Sequence, residues 1–309
     1  MRSEKWGGVT FICVILVSLL LPVSLSSSED ITFFRIGTGS SSGTYFPIGT
    51  LIGSTITGPP GSRPCDDGGS CGVPGLIAAA QTTRGSVANI RGVLQGQLES
   101  ALAQSDIIYA AYYGTGVFER QADLGKSLRV IANLYPEDVH LIVRKGAQIK
   151  TVADLKGKRV SIDLPGSGTR LNARNILRAY GITEKDYHAI DANSDKALNL
   201  LRSGELDAFF FIAGYPVNAV AELASSGLIE LLPIEGEKAE EVVNLYEFFS
   251  LSRIPEGVYE GIGEVPTLAV STQWVVKATL SDELAYGITS ALWHPRHRAI
   301  LDSGMPREN

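Results

Sequence analysis

Gly37-Thr38-Gly39-Ser40-Ser41-Ser42-Gly43-Thr44 (residues 37–44) and Pro165-Gly166-Ser167-Gly168-Thr169 (residues 165–169) are two small polar loops whose surroundings decide the fold. The first follows a short apolar segment, Phe33–Ile36, and leads into the amphipathic stretch Tyr45–Ile56. The second follows Lys158–Ile162 and leads into a helix-forming run from Arg170 to Tyr180, which Gly181 stops. Both units read strand, polar loop, helix.

A second pair keeps the same order. Gly96-Gln97-Leu98-Glu99 precedes Gln104-Ser105-Asp106, and Gly204-Glu205-Leu206-Asp207 precedes Phe211-Ile212-Ala213. The spacing is 125 positions from Gly43 to Gly168 but 108 from Gly96 to Gly204, and the difference of 17 is close to the length of a Gly/Pro/Cys-rich loop, Gly58–Gly75, which reads as an insertion in the first half. The chain thus reads as one half written twice. Strands are predicted near Phe33–Ile36, Ile77–Gln81, Ser105–Tyr109 and Leu128–Ala132, then near His140–Val143, Arg159–Ile162, His188–Ile190, Ala208–Ile212 and Ile229–Leu232. A last extended stretch, Val265–Val276, is expected to return to the first sheet. Strands alternating with helices argue for a parallel sheet covered on both faces, an α/β fold in two lobes. Ligands of such sheets bind beyond the carboxyl ends of the strands, which brings both polar loops to one cleft.

Loops of this kind offer backbone N–H groups, hydroxyls and the positive end of a helix dipole, and glycine lets the backbone approach a bound group closely. Ser42, Gly43, Thr44, Ser167, Gly168 and Thr169 are therefore candidates to hold a small anion. Helix capping by the same hydroxyls is the plainer reading of either loop taken alone. Arg170 and Arg84 suit a planar carboxylate by forked hydrogen bonding, and Tyr45 and Tyr215 suit a pocket wall. Gly37-x-Gly39-x-x-x-Gly43 misses the dinucleotide spacing by one. The histidines His140, His188, His294 and His297 form no metal or catalytic pattern; His294 and His297 read as solvated surface and His140 as structural. No enzyme chemistry, cofactor or metal is expected.

The net charge of −6 argues against nucleic acid as a partner. Arg2 and Lys5, an apolar run from Val9 to about Leu21, and the small residues Ser24–Ser28 form a secretory leader; an uncleaved anchor is the alternative. Residues 1–28 are expected to be removed near residues 26–28, leaving an exported, periplasmic protein. In that compartment Cys65 and Cys71 are expected to form a disulfide across Asp66–Ser70. A metal site is the other possibility, but no histidine lies near them in sequence.

Taken in order, several motifs resemble the TAXI solute receptors of tripartite ATP-independent periplasmic (TRAP) transporters. They are Ile36–Gly49, Gly85-Ser86-Val87-Ala88-Asn89, Gln104-Ser105-Asp106, Leu134-Tyr135-Pro136-Glu137, Asp154–Val160, Gly166–Thr169 and Ala213-Gly214-Tyr215-Pro216. The resemblance implies a type II periplasmic-binding-protein fold. Lobe 1 would comprise residues 29–137 and 266–309, and lobe 2 residues 138–265, with crossings near Pro136–His140 and Pro266–Val270. It implies capture of a small anionic organic ligand such as glutamate, glutamine or 2-oxoglutarate, by a monomer that delivers it to the membrane subunits of a TRAP transporter. By motif, Ser42, Gly43, Thr44, Tyr45, Ser86, Asn89 and Gln104 would line the first lobe, and Ser167, Gly168, Thr169, Arg170 and Tyr215 the second. A ligand sensor for a membrane kinase and an exported α/β hydrolase or lyase are the alternatives. Family members usually run on a few dozen residues beyond the position of Asn309, so a tail expected to pack on lobe 1 is missing from this sequence.

Overall fold

A computed structural model describes residues 30–121 and 125–304. The expected leader lies outside the described residues, among which no helix is long and apolar enough to cross a membrane. The first half runs β1 (Thr32–Gly37), α1 (Tyr45–Ile56), β2 (Thr57–Gly58), β3 (Val73–Pro74), β4 (Leu76–Gln81), α2 (Ser86–Leu94), β5 (Ser100–Gln104) and α3 (Ser105–Tyr113). The long strand β6 (Leu128–Arg144) leads to β7 (Arg159–Ser161), α4 (Gly168–Ala179), β8 (His188–Ala189), α5 (Ser194–Arg202) and β9 (Ala208–Ala213). Then come α6 (Asn218–Ser225), β10 (Ile229–Leu231), α7 (Gly236–Leu245), β11 (Ser250–Ile254), the second long strand β12 (Val265–Lys277), α8 (Asp282–Leu292) and α9 (Arg298–Gly304).

The strands join in one sheet ordered β3-β2-β4-β1-β5-β12-β6-β9-β7-β8. Parallel pairing is confined to its two wings, where β1 lies between β4 and β5 and β7 lies between β8 and β9. The centre is antiparallel, against the expectation of a parallel sheet throughout. There β6 and β12 pair from Leu128–Lys277 to Asp138–Ala269, and each also pairs antiparallel with its own wing. The reason is the path of the chain: it leaves the first wing along β6, 17 residues long, and returns along β12, 13 residues long, so the two run in opposite directions.

The apolar core divides along the same line. Two clusters draw on residues up to Tyr135 and from Trp274 onward, among them Phe34, Ile36, Ile90 and Leu102. Two others draw on Val139 through Val270, among them Leu141, Val160, Phe209 and Val220. Between them the sheet is crossed by Pro136, Glu137 and Asp138 on β6, a polar break in an apolar strand.

One predicted strand is a helix. Ser105–Tyr109 is the start of α3, and the strand is the preceding segment, Ser100–Gln104, buried at every position. Ile107, Ile108 and Ala111 occupy one helical face and are buried, Asp106 sits in the positive first turn, and Gly114 closes the helix in the left-handed conformation. The consecutive isoleucines mimic a strand because a short apolar run carries no decisive period.

Candidate functional site

A cavity of about 120 Å³ lies where the two wings meet. Its walls are the starts of helices. Tyr45 opens α1, Ser86 opens α2, Gly168 opens α4, Ser194 opens α5, and Gln104 caps α3; all five line the cavity. The fold dictates this convergence, because in each strand–helix unit the loop after the strand carries the helix N-terminus to the carboxyl edge of the sheet. Each helix start contributes unsatisfied N–H groups and about half a positive charge. Neither α1 nor α2 has a side-chain cap, whereas Ser167 Oγ accepts from Arg170 N and Asn193 caps α5.

The wings touch around this cavity. Ser40 Oγ and Ser42 Oγ lie 2.6 and 2.8 Å from Ser194 Oγ. Gly214 N donates to Thr44 Oγ1 at 3.3 Å, Asn172 Nδ2 donates to Gln104 Oε1 at 3.2 Å, and Ala88 N donates to Gly166 O at 3.0 Å.

Of the candidates named from sequence, Gly43, Thr44, Tyr45, Ser86, Gln104, Ser167, Gly168 and Thr169 line the cavity together. Four do not. Ser42 borders a neighbouring recess and reaches the site through Ser194 and Ser40. Asn89 is fully buried and donates to Thr38 O and Leu102 O at 2.6 and 2.7 Å, so it ties the first polar loop to β5. Arg170 turns away to Asp163 O and to Asp191 Oδ1, the latter at 2.6 Å, because its helix position points past the loop. Tyr215 packs against the cluster around Val217 and Phe211. Arg84 does line the cavity, is exposed, and makes no ion pair among the described residues.

Residues that the sequence reading did not single out complete the walls: Glu137, Asp163, Thr83, Asn193, Ser194 and Phe211. Glu137 is the most consequential. It sits on β6, 2% exposed, and Tyr45 Oη donates to its Oε2 at 2.8 Å. Burial pushes its carboxyl up to about 8, the Tyr45 hydroxyl opposes that, and the nearby Asp106 and Asp138 add to it. Burial raises Asp163 to about 6, against the pull of Leu164 N–H, and its backbone is left-handed with φ of 75°. Asp106, behind the wall, is raised by burial to about 7. The signal that could have found Glu137 is the acidic pair Glu137-Asp138 inside the apolar run Leu134–Val143.

These shifts make the protein's stability depend on pH. Glu137 and Asp106 hold their protons more tightly folded than unfolded, so their stabilising share is complete below the ordinary carboxyl range and is lost as pH rises through about 7 and 8. His140 is buried neutral and lowered to about 4, so it titrates below this window. The ligand-free protein is expected to melt several degrees lower at pH 8.5 than at pH 6.5, at about 2–4 °C per kcal/mol. Glu137→Gln should flatten that slope in calorimetry. A melting point that rises over the interval contradicts the assignment.

His140 accounts for both its ring nitrogens, one with Tyr259 Oη at 2.9 Å and one with Asp138 O at 2.9 Å, as a structural histidine does. Cys65 and Cys71 are joined by a disulfide. His294 is not solvated surface: it is half-buried with Nε2 3.6 Å from Cys65 Sγ.

A model of the NMT1-like family matches residues 36–300. Among solved structures, a protein from Bordetella bronchiseptica RB50 is 17% identical with a TM-score of 0.55, over 90% of this chain and 77% of that one. PhnD1 from Prochlorococcus marinus (MIT 9301), solved with methylphosphonate, is 14% identical with a TM-score of 0.54, over 89% and 91%. An ancestral arginine-binding protein bound to arginine is 15% identical with a TM-score of 0.51, over 88% and 96%. The fold is the type II periplasmic-binding-protein fold, two α/β lobes with a cleft between them.

Proposed function

We propose, from the premise that this chain belongs to the NMT1-like family, that it is an exported receptor that binds a small carboxylate and passes it to a TRAP-type, ion-gradient-driven transporter without transforming it. One observation carries the reading: five helix starts with their hydroxyls surround a single small cavity. Such a lining attracts negative charge. Ser167, Gly168 and Thr169 from one lobe, Gly43, Thr44, Tyr45, Ser86 and Gln104 from the other, and Arg84 at the rim are the proposed ligand contacts. The proposed lobes are residues 29–137 with 266–309 and residues 138–265, in line with the separate apolar clusters. The motif order from Ile36 to Pro216 supports the TAXI branch.

Glu137 refines the ligand. Two carboxyl groups, Glu137 and Asp163, face a cavity otherwise lined by helix starts, which suits a zwitterion, its carboxylate at the helix starts and its ammonium at Glu137. An α-amino acid of the glutamate–glutamine type is therefore the preferred guest over 2-oxoglutarate, which brings no ammonium.

Thermal shift and calorimetry on the mature protein test this. A ligand at a hundred times its Kd adds about 2.7 kcal/mol of stability. L-Glutamate or L-glutamine should do so; if methylphosphonate does and no carboxylate does, the carboxylate reading is wrong. The pH slope is the sharper measure. Because the ammonium requires ionised Glu137, affinity for the amino acid should rise up to about tenfold per pH unit below about 8. An oxo acid should show the opposite slope, and Glu137→Gln should abolish both. Uptake in vesicles with the membrane subunits should follow a sodium or proton gradient and ignore ATP.

A further inference from the structure

The turn-rich loop of the first lobe meets the segment that follows α8. Cys65 and Cys71 lie beside His294, the residue after α8 and Trp293. One ligand atom from each of the three falls within 4.8 Å of the others. Cys65 Sγ and His294 Nε2 are 3.6 Å apart. Two donors sharing a tetrahedral zinc at about 2.3 Å (sulfur) and about 2.0 Å (nitrogen) stand about 3.5 Å from each other. The sequence offered no histidine for these cysteines; the fold supplies one from 223 positions beyond Cys71.

We propose that the disulfide is the oxidised form of a metal site, and that on reduction Cys65, Cys71 and His294 bind one zinc ion with a fourth position open to solvent. A thiol reductant delivers two electrons and two protons to the S–S bond and is itself oxidised to a disulfide. Zinc then displaces both thiol protons, leaving two thiolates, a neutral imidazole and no net charge at the metal.

Three features prepare the site. The loop carries backbone hydrogen bonds of its own beside the disulfide: Asp67 N and Gly69 N donate to Pro64 O, Gly68 N to Cys65 O and Ser70 N to Arg63 O, at 2.9–3.1 Å. Ser70 Oγ also donates to Thr57 O at 2.8 Å, which ties the loop to the body of the lobe. On the other side His294 N donates to Ala291 O at 3.2 Å, so the end of α8 sets the imidazole. Arg296 reaches Cys65 O and lies 3.8 Å from Cys65 Sγ, where its charge favours the thiolate. Metal at Nε2 moves the ring proton to Nδ1, at the cost only of a long 3.3 Å contact from Arg296 N.

The test uses the mature protein reduced with a phosphine, desalted without oxygen and titrated with cobalt(II) and then zinc(II). The reduced protein should take up one cobalt with a thiolate-to-metal charge-transfer band and tetrahedral visible absorption, and zinc should displace it. His294→Ala should weaken uptake at least tenfold and alter the spectrum, with Cys71→Ser as the second variant and circular dichroism as the check on folding. The unreduced protein should bind neither ion there. The proposal is overturned if the reduced protein takes up no metal, if His294→Ala binds with the same spectrum and affinity, or if the oxidised protein binds equally well. Carboxylate binding is not part of the readout, so the outcome is independent of the cleft.

Discussion

Gly168→Ala is expected to weaken ligand binding about tenfold to a hundredfold while leaving the melting temperature without ligand nearly unchanged. Gly168 opens α4 on one lobe, and an added Cβ would overlap Gln104 Oε1 of the other lobe and come within 3.1 Å of Ser86 Oγ. Gln104 cannot swing aside freely, because Asn172 one turn along α4 donates to the same oxygen. The methyl group therefore props the lobes apart where they must meet. Overpacking of this kind costs about 1–3 kcal/mol, and about 1.4 kcal/mol is tenfold in affinity. Each lobe keeps its own core, so folding is spared. Gly168→Ala combined with Gln104→Ala should recover part of the loss, a coupling that a double-mutant cycle reads directly. Gly43→Ala adds the same methyl group to the other wall without an overlap and should cost less, since a Cβ there meets Phe211 and Ser40 at ordinary contact distances of 3.6–3.7 Å. Wild-type affinity in Gly168→Ala would mean that the lobes do not close on the ligand at this point.

Trp274→Ala should be the most damaging single change to stability. The indole lies on β12, fully buried, with its ring edge-on to Phe34 at 6.5 Å and in the cluster with Ile36, Ile48 and Leu102. Replacing a buried tryptophan by alanine costs about 3–5 kcal/mol, here about 10 °C in melting temperature. β12 also pairs with β5 and β6, so loosening it disturbs both wings. Trp274→Phe should cost less than half as much, because Trp274 Nε1 has no hydrogen-bond partner among the described residues and its loss removes a buried donor. Denaturant unfolding of the three proteins measures this. Equal losses in both variants would mean that the smaller ring recovers none of the packing.

Much of the architecture was open to reading in one dimension because its signals are local. Loop 37–44 followed by α1, and loop 165–169 followed by α4, combine small polar residues with amphipathic period, and both helices formed where the pattern put them. The same locality misled at Ser105–Tyr109, where two isoleucines fit a strand or a buried helix equally well and only packing against α2 and β5 decided. It misled again at Arg170, since residue type cannot tell which side of a helix start faces the cleft and which faces Asp191.

What the sequence determined by itself is the doubled strand–loop–helix plan, the helix starts and the hydroxyl and glycine residues at them, because periodicity, capping and turn chemistry act within a few residues. What only the tertiary structure decided is which of those groups share a space: Glu137 against Tyr45, Ser194 against Ser40, His294 against Cys65. Those meetings depend on how the long strands β6 and β12 carry the chain between lobes, and sequence separation holds no record of that distance.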